Sequence, residues 1–191
     1  GVVVALVPST NPTSTAFFKT MIAVKARNAI VFAPHPSAAR CTYEAVQVMA
    51  AAAENAGAPK GLIGCMQQIS LPGTQELMSH RLTALILATG GSPMVRAAHS
   101  TGKPAYGVGP GNVPVYVDRS ADIEKAARYI VASKAFDFST ICASEQAVIA
   151  DRPVAARLAE LMQAEGAYFT SEPETEALRR TRDEEPHEAG V

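Results

Sequence analysis

The sequence has no excess of charge of either sign. Its 17 Lys and Arg residues are matched by 18 Asp and Glu residues, so the formal net charge at pH 7 is −1. Nucleic acids and anionic membranes bind surfaces with a clear positive excess. We therefore expect no nucleic acid and no membrane among the partners, and a small molecule is the better candidate ligand.

Cysteine is scarce as well. The three cysteines, Cys41, Cys65 and Cys142, are odd in number, lie far apart and form no CxxC pair. This pattern predicts neither a disulfide framework nor a zinc site. The four histidines share no ligand spacing, so no metal is expected, and a reducing, cytoplasmic setting fits the composition best.

Long apolar runs are also lacking. No segment approaches the roughly 20 apolar residues that span a bilayer, and the amino terminus has no basic-then-apolar secretion signal. The chain starts without Met, directly in the apolar run Gly1 to Val7, which predicts a strand and leads us to expect a fragment of a longer protein. Hydrophobic residues make up 48% of the chain, which is enough for a buried core.

Short apolar segments alternate with helical segments along most of the chain. The predicted strands are residues 1–7, 29–32, 62–66, 84–88, 113–117 and 146–150. The predicted helices are residues 15–27, a long Ala-rich helix that ends at Gly57, and residues 75–78, 93–99, 121–135 and 154–165. This order indicates an α/β fold with a parallel sheet. Residues 103–112 are predicted to be a glycine-rich loop, and the Glu- and Arg-rich tail at 171–191 is predicted to be solvated or disordered.

Two loops, residues 10–13 and 89–92, each follow a predicted strand and precede a helix. In a parallel sheet both lie at the carboxyl edge, where ligands bind. Gly90 and Gly91 allow a phosphate to approach the backbone, and the next helix offers free N–H groups. Without a GxGxxG pattern, however, these residues alone favour a simple tight turn over nucleotide contact, and both interpretations stay open.

Cys142 lies in an apparent loop of small and hydroxylic residues, Ser139 to Glu145. Such a position favours an accessible thiolate, the reactive form of the side chain. Cys41 and Cys65 lie in apolar patterns instead and are predicted to be core residues. No histidine is near Cys142 in the sequence, so the residues alone predict no Cys–His pair and leave a structural role open.

Five motifs occur in a fixed order along the chain. They are Pro8-Ser9-Thr10-Asn11-Pro12-Thr13-Ser14, Phe32-Ala33-Pro34-His35-Pro36, Leu87-Ala88-Thr89-Gly90-Gly91, Gly107-Val108-Gly109-Pro110-Gly111-Asn112-Val113-Pro114 and Ile141-Cys142-Ala143-Ser144-Glu145-Gln146. Together they resemble the CoA-acylating branch of the aldehyde dehydrogenase superfamily over about the first 170 residues. Several spaced motifs are more specific than either glycine loop alone.

The resemblance implies a Rossmann-like cofactor domain at residues 1–117, the beginning of an α/β catalytic domain at 118–170, and the charged tail at 171–191. It makes Cys142 the nucleophile and Asn11 the residue whose side-chain amide helps to hold the oxyanion. The cofactor-binding residues that it implies are Thr10, Pro34, His35, Pro36, Thr89, Gly90, Gly91, Gly107, Val108 and Gly109. It further implies NAD as cofactor, with NADP as the alternative, CoA as co-substrate, and a homo-oligomeric full-length protein.

The acylating assignment depends on Val108. By alignment with the family, this valine stands where hydrolytic relatives carry the glutamate that activates water, and valine cannot accept a proton. The expected reaction is therefore reversible oxidation of a short-chain aldehyde to acyl-CoA through a thioester on Cys142. The alternatives are a hydrolytic aldehyde dehydrogenase, an acyl-phosphate reductase of the same superfamily, and an inactive fragment that only binds nucleotide or partner subunits.

Overall fold

The computed structural model of the protein describes residues 1–109 and 111–184. The chain folds as two compact units, Gly1–Gly111 and Asn112–Val191. None of the helices in the described ranges combines the length and the apolar character needed to cross a membrane.

The first unit contains a parallel sheet of five strands. The strands are β1 (Val2–Val7), β2 (Ala29–Pro34), β3 (Ile63–Cys65), β4 (Thr83–Thr89) and β5 (Ala105–Val108), in the order β3-β2-β1-β4-β5. The helices between them are α1 (Pro12–Lys25), α2 (Ala39–Asn55), α3 (Leu71–Ser79) and α4 (Ser92–His99). The predicted Rossmann-like α/β fold is confirmed. The strand order reverses between β1 and β4, and ligands bind outside the carboxyl ends of the strands at such a crossover.

Both faces of this sheet are covered, which explains why β1 is apolar at every position. Val3, Ala5 and Val7 belong to a buried cluster with residues of α1 and α2, and Val4 and Leu6 belong to a second cluster with residues of α3 and α4. A strand that is buried on both faces needs no alternation of apolar and polar residues. The continuous apolar run of the sequence is therefore a signature of the central strand.

Local sequence signals set the helix ends. Pro12 occupies the first turn of α1, where its missing N–H costs nothing. The Ser70 side chain accepts a hydrogen bond from the Gly73 N–H and caps α3. After α2, Gly57 has a φ of +94°, the left-handed conformation that ends many helices and that glycine adopts without strain.

The predicted glycine-rich loop at 103–112 is wrong in its first half, because residues 105–108 form β5, paired with β4. Gly107 lies within this strand. A Cβ atom at position 107 would overlap the side chain of Val95 on α4. The glycine therefore reflects a close approach of helix to strand, one of the reasons for which glycine occurs inside strands.

The second unit contains a smaller parallel sheet. Strands β6 (Val113–Val117) and β7 (Glu145–Ala150) pair with each other, and helices α5 (Ile123–Ala135) and α6 (Arg152–Ala164) pack together over a core that includes Val117, Ala127, Ile130 and Leu158. Because β6 pairs with β7, the structure divides the chain after Gly111, six residues before the predicted boundary at 117.

Part of the predicted tail is helical rather than unstructured. Helix α7 spans Glu172–Glu184, and the Glu174 carboxylate accepts hydrogen bonds from the backbone and the side chain of Ser171 just before it. The Glu176 carboxylate also forms ion pairs with Arg179 (Oε2 to Nη1, 3.6 Å) and with Arg180 (Oε1 to Nε, 3.7 Å). Capping and ion pairs one turn apart support a helix that has no apolar face. Residues 185–191 of the tail lie outside the described part of the chain.

Candidate functional site

The carboxyl edge of the five-stranded sheet collects all of the predicted cofactor-binding residues and Asn11. Parallel strands end at the same edge, so the loops that follow them become neighbours. The residues that lie at or just beyond the strand ends are Thr10 and Asn11 after β1, Pro34, His35 and Pro36 at the end of β2, Thr89, Gly90 and Gly91 at the end of β4, and Gly107, Val108 and Gly109 at the end of β5. Pro110, in the same motif, lies outside the described residues.

Backbone hydrogen bonds connect these segments directly. The His35 N–H donates to the carbonyl oxygen of Val7 at 2.9 Å, which joins the end of β2 to the end of β1. The Gly90 N–H donates to the carbonyl oxygen of Val108 at 3.2 Å. This hydrogen bond joins the loop after β4 to the end of β5, where Val108 lies.

The Asn11 side chain accepts a hydrogen bond through its oxygen, while its amide nitrogen has no partner among the residues that the structure describes. Asn11 is the residue before α1, yet its side chain makes no capping hydrogen bond to the helix. The Thr10 hydroxyl donates to Asn11 Oδ1 at 3.1 Å. This contact occupies the oxygen, and within the described residues no acceptor engages the nitrogen. Asn11 can therefore present an amide donor at the edge of the sheet.

Gly90 and Gly91 lead into α4 in a geometry that suits an anion. Gly91 precedes the helix in an extended conformation and provides no side-chain cap, and Pro93 lies in the first turn. The first backbone N–H groups of such a helix have no partner inside the helix and carry the positive end of its dipole. A phosphate group is a suitable ligand for this position.

The end of β2 has no acidic side chain. In dinucleotide-binding folds an Asp or Glu near this strand end accepts hydrogen bonds from the adenosine ribose. Here His35 and Ser37 lie at this position, with His35 Nδ1 2.7 Å from Ser37 Oγ. Imidazole and hydroxyl groups can contact a ribose or a phosphate, but this strand end lacks the carboxylate that accepts ribose hydrogen bonds in NAD-binding folds.

Lys19 is a buried residue near this edge of the sheet that the sequence analysis did not single out. Its side chain is only 4% exposed, and Nζ donates to the carbonyl oxygens of Leu6 at 2.6 Å and of Leu87 at 2.8 Å. Burial lowers the pKa of the Lys19 amine to about 7. Helical spacing could have predicted this burial, because Lys19 lies on the same buried face of α1 as Thr15 and Ala23.

Cys142 belongs to the second unit, where it lies on a tight turn. The Ser144 N–H donates to the Ile141 carbonyl oxygen at 3.0 Å, which closes the turn, and Ser144 is buried. The Cys142 side chain is exposed. The Cys142 side chain, on a turn anchored by a buried neighbour, is therefore accessible to solvent, as the sequence pattern predicted.

The segment just before this turn has an unusual backbone. Asp137, Phe138 and Ser139 have φ values of 49°, 52° and 62°, a left-handed conformation that residues other than glycine rarely adopt. The Thr140 hydroxyl donates to the Asp137 carboxylate at 2.6 Å. Three consecutive left-handed residues turn the chain sharply between α5 and the cysteine.

The other two cysteines differ from Cys142 and from each other. Cys65 is half-buried, and burial raises the pKa of its thiol to about 11, which makes it a poor nucleophile. Cys41, predicted to be in the core, is exposed. The prediction was wrong because α2 buries a different face, on which Thr42, Val46 and Met49 lie.

Comparisons with known proteins agree with this fold. The chain is 48% identical, over 94% of its length, to 21% of aldehyde-alcohol dehydrogenase 2 of Entamoeba histolytica. It resembles the crystal structure of an acetylating aldehyde dehydrogenase from Geobacillus thermoglucosidasius with a TM-score of 0.82 and 60% identity, covering 91% of this chain and 38% of that one. It also resembles a Rhodopseudomonas palustris propionaldehyde dehydrogenase, solved with bound CoA and an acylated cysteine, with a TM-score of 0.82 and 36% identity over 96% of this chain and 41% of that one.

The chain thus spans about a fifth of the curated relative and about two-fifths of the two solved structures. The range matched by the family model includes residues of both units and the positions of all five motifs. Since residues 1–177 match the model of the aldehyde dehydrogenase family, the chain belongs to that family.

Proposed function

We propose that the full-length protein containing this chain oxidises a short-chain aldehyde to acyl-CoA, reversibly and with NAD, through a thioester on Cys142. The observation that carries the proposal is the exposed sulfur of Cys142 on its own tight turn. The likeness to an acetylating enzyme and to an enzyme solved with CoA and an acylated cysteine supports both the nucleophile and the acyl acceptor.

The first step is addition of the Cys142 thiolate to the aldehyde carbon. A C–S bond forms and the electron pair of the carbonyl π bond moves onto oxygen. The Asn11 amide is the donor proposed for that oxyanion, since Thr10 holds Oδ1 and leaves Nδ2 free. A nicotinamide held at the proposed dinucleotide site would supply the hydride acceptor. Loss of hydride from the same carbon re-forms the C=O bond and leaves a thioester on Cys142.

The second step is acyl transfer to CoA. The CoA thiolate attacks the thioester carbon, the bond to Cys142 breaks, and the Cys142 thiolate is restored. Val108 offers no group that could take a proton from water, so hydrolysis has no general base at this position. The net reaction converts aldehyde, NAD⁺ and CoA into acyl-CoA, NADH and one proton.

The first unit supplies the proposed dinucleotide site. Gly90, Gly91 and the first turn of α4 suit the pyrophosphate, and His35 lies where the adenosine ribose binds in related folds. NAD is the proposed acceptor on the strength of the family resemblance. Because β2 ends without a carboxylate, NADP is the comparison that a cofactor assay has to include. We also propose a homo-oligomeric protein in the cytoplasm.

The test is NADH formation by the full-length protein from acetaldehyde or propionaldehyde, with and without CoA. We expect CoA-dependent turnover that Cys142→Ala abolishes and that Cys41→Ala, a change at another exposed cysteine, leaves intact. Steady turnover to free acid without CoA would identify a hydrolytic enzyme, and a requirement for phosphate in place of CoA would identify an acyl-phosphate reductase. NAD binding without turnover, together with no labelling of Cys142 by a thiol reagent, would support the inactive alternative.

A further inference from the structure

Lys19 occupies a position that packing alone does not explain. Its Nζ donates to Leu6 on β1 and to Leu87 on β4, two strands that are far apart in sequence and adjacent in the sheet. The register of the two strands ends at the pair Leu6 and Ala88. The amine therefore lies at the last residue pairs of β1 and β4, where the strand order of the sheet reverses.

No counter-ion accompanies this amine in the described part of the chain. Among the side chains that the structure describes, no carboxylate forms an ion pair with Lys19. The residues of α1 that share its buried face are small or apolar, such as Ala16 and Ala23. Burial of an unpaired amine costs stability, and an apolar side chain of similar length would fill this space at lower cost. The two carbonyl groups are thus the partners for which the amine is suited.

The two carbonyl groups belong to the strands that lead into the proposed chemistry. Asn11 follows Leu6 by five residues, and Thr89 and Gly90 follow Leu87 by two and three residues. A cross-link at the strand ends restricts how these two loops can shift against each other. Small errors in the distance between reacting groups have large effects on rate, about 100-fold for 1 Å.

We infer that Lys19 is a positioning residue, which joins the carbonyl ends of β1 and β4 and so holds the loop that carries Asn11 at a fixed distance from the Thr89–Gly91 loop. The inference rests on the proposed function for its effect on turnover. The geometric part, the cross-link itself, is independent of the reaction.

The experiment compares Lys19→Met, Lys19→Arg and Lys25→Met in the full-length protein. Lys25 lies on the same helix and is exposed, which makes it the matched control. We expect Lys19→Met to lower kcat about tenfold or more at saturating substrates, with a smaller change in the KM for nucleotide. Lys19→Arg, which keeps donors for both carbonyl groups, should recover most of the loss, and Lys25→Met should behave as the wild type.

Amide hydrogen exchange provides a readout that does not need activity. We expect Lys19→Met to speed exchange in peptides covering residues 7–12 and 88–92 and to leave α2 and α6 unchanged. Unchanged kcat and unchanged exchange in these two segments would overturn the inference, as would faster exchange throughout the protein, which indicates general destabilisation. If Lys19→Met does not fold, kcat and amide exchange are measured for Lys19→Arg and Lys19→Gln instead. We expect Lys19→Gln, which can donate well to only one of the two carbonyl groups, to show the larger loss, and equal values for the two variants would overturn the inference. Loss of acylating activity in the wild type would overturn the proposed function but leave the exchange test valid.

Discussion

Gly107 on β5 lies so close to Val95 on α4 that a Cβ atom at position 107 would overlap the Val95 side chain, and it would also lie 3.1 Å from His99 Nε2. Helix and strand approach each other at this point because the strand has no side chain there. The next residue, Val108, is 58% exposed and has room around it. The two neighbouring positions therefore differ sharply in what they can accommodate.

Gly107→Ala is expected to lower the free energy of unfolding by about 1–3 kcal/mol, the usual cost of forcing extra volume into a packed site. The measurement is urea denaturation of the full-length protein. Gly109→Ala is the matched control, since no described residue lies within 4 Å of a Cβ atom at that position. Equal effects of the two substitutions would contradict the steric explanation.

Val108→Glu is expected to add hydrolytic turnover, in which aldehyde is converted to free acid without CoA. A carboxylate at this position can take a proton from water, and the exposure of Val108 means that the larger side chain needs no rearrangement of the core. The measurement is acid production in the absence of CoA. Val108→Gln, similar in shape but unable to act as a base, should remain dependent on CoA. If the Gln variant hydrolyses as fast as the Glu variant, the water-activation argument fails.

The sequence predicted the strands and helix ends correctly where the side chains of an element are buried on all sides, as in β1. The unbroken apolar run of β1 predicted a strand, which the structure places at the centre of the sheet, and Gly57 predicted the end of α2 correctly. Strand β5 was missed because Gly107 was interpreted as a loop residue. The structure explains this glycine instead by the close contact of β5 with Val95 on α4. Contacts between elements that are distant along the chain leave no local signal.

The candidate site was predictable only in part. Asn11 and Cys142 were identified by family resemblance, and the structure gives Asn11 a free amide and Cys142 an exposed turn. Lys19 was missed because lysine is rarely buried, so an isolated lysine in a helix is normally assigned to the surface. Cys41 was misplaced for the opposite reason, since an apolar stripe on a helix does not reveal which side faces the sheet.

Phe138→Asn is expected to raise the free energy of unfolding by about 1 kcal/mol, because Phe138 has a φ of 52° and asparagine tolerates this conformation better than phenylalanine. Phe138 is 95% exposed, so its replacement removes almost no buried surface. Urea denaturation checks the change. Phe136→Asn is the control, since Phe136 is also exposed but has a φ of −60°. Stabilisation by both substitutions, or by neither, would show that backbone strain is not the cause.

The pKa of Lys19 predicts how stability depends on pH. Burial lowers this pKa from 10.5 to about 7, so between these values the folded protein holds fewer protons than the unfolded chain. Raising the pH from 7 therefore favours the folded state, by at most about 1.4 kcal/mol per pH unit for one group. Below pH 7 the amine is protonated in both states, and the cost of burying its charge is present in full.

The measurement is the difference in unfolding free energy between the wild type and Lys19→Met at pH 7 and at pH 9. Groups that both proteins share, including the Cys65 thiol, cancel in this difference. We expect the wild type to gain stability relative to Lys19→Met as the pH rises. Lys25→Met, a change at an exposed lysine of the same helix, is the control. A difference that stays constant between the two pH values would mean that Lys19 keeps an ordinary pKa, in which case the two carbonyl groups stabilise the ammonium enough to offset its burial.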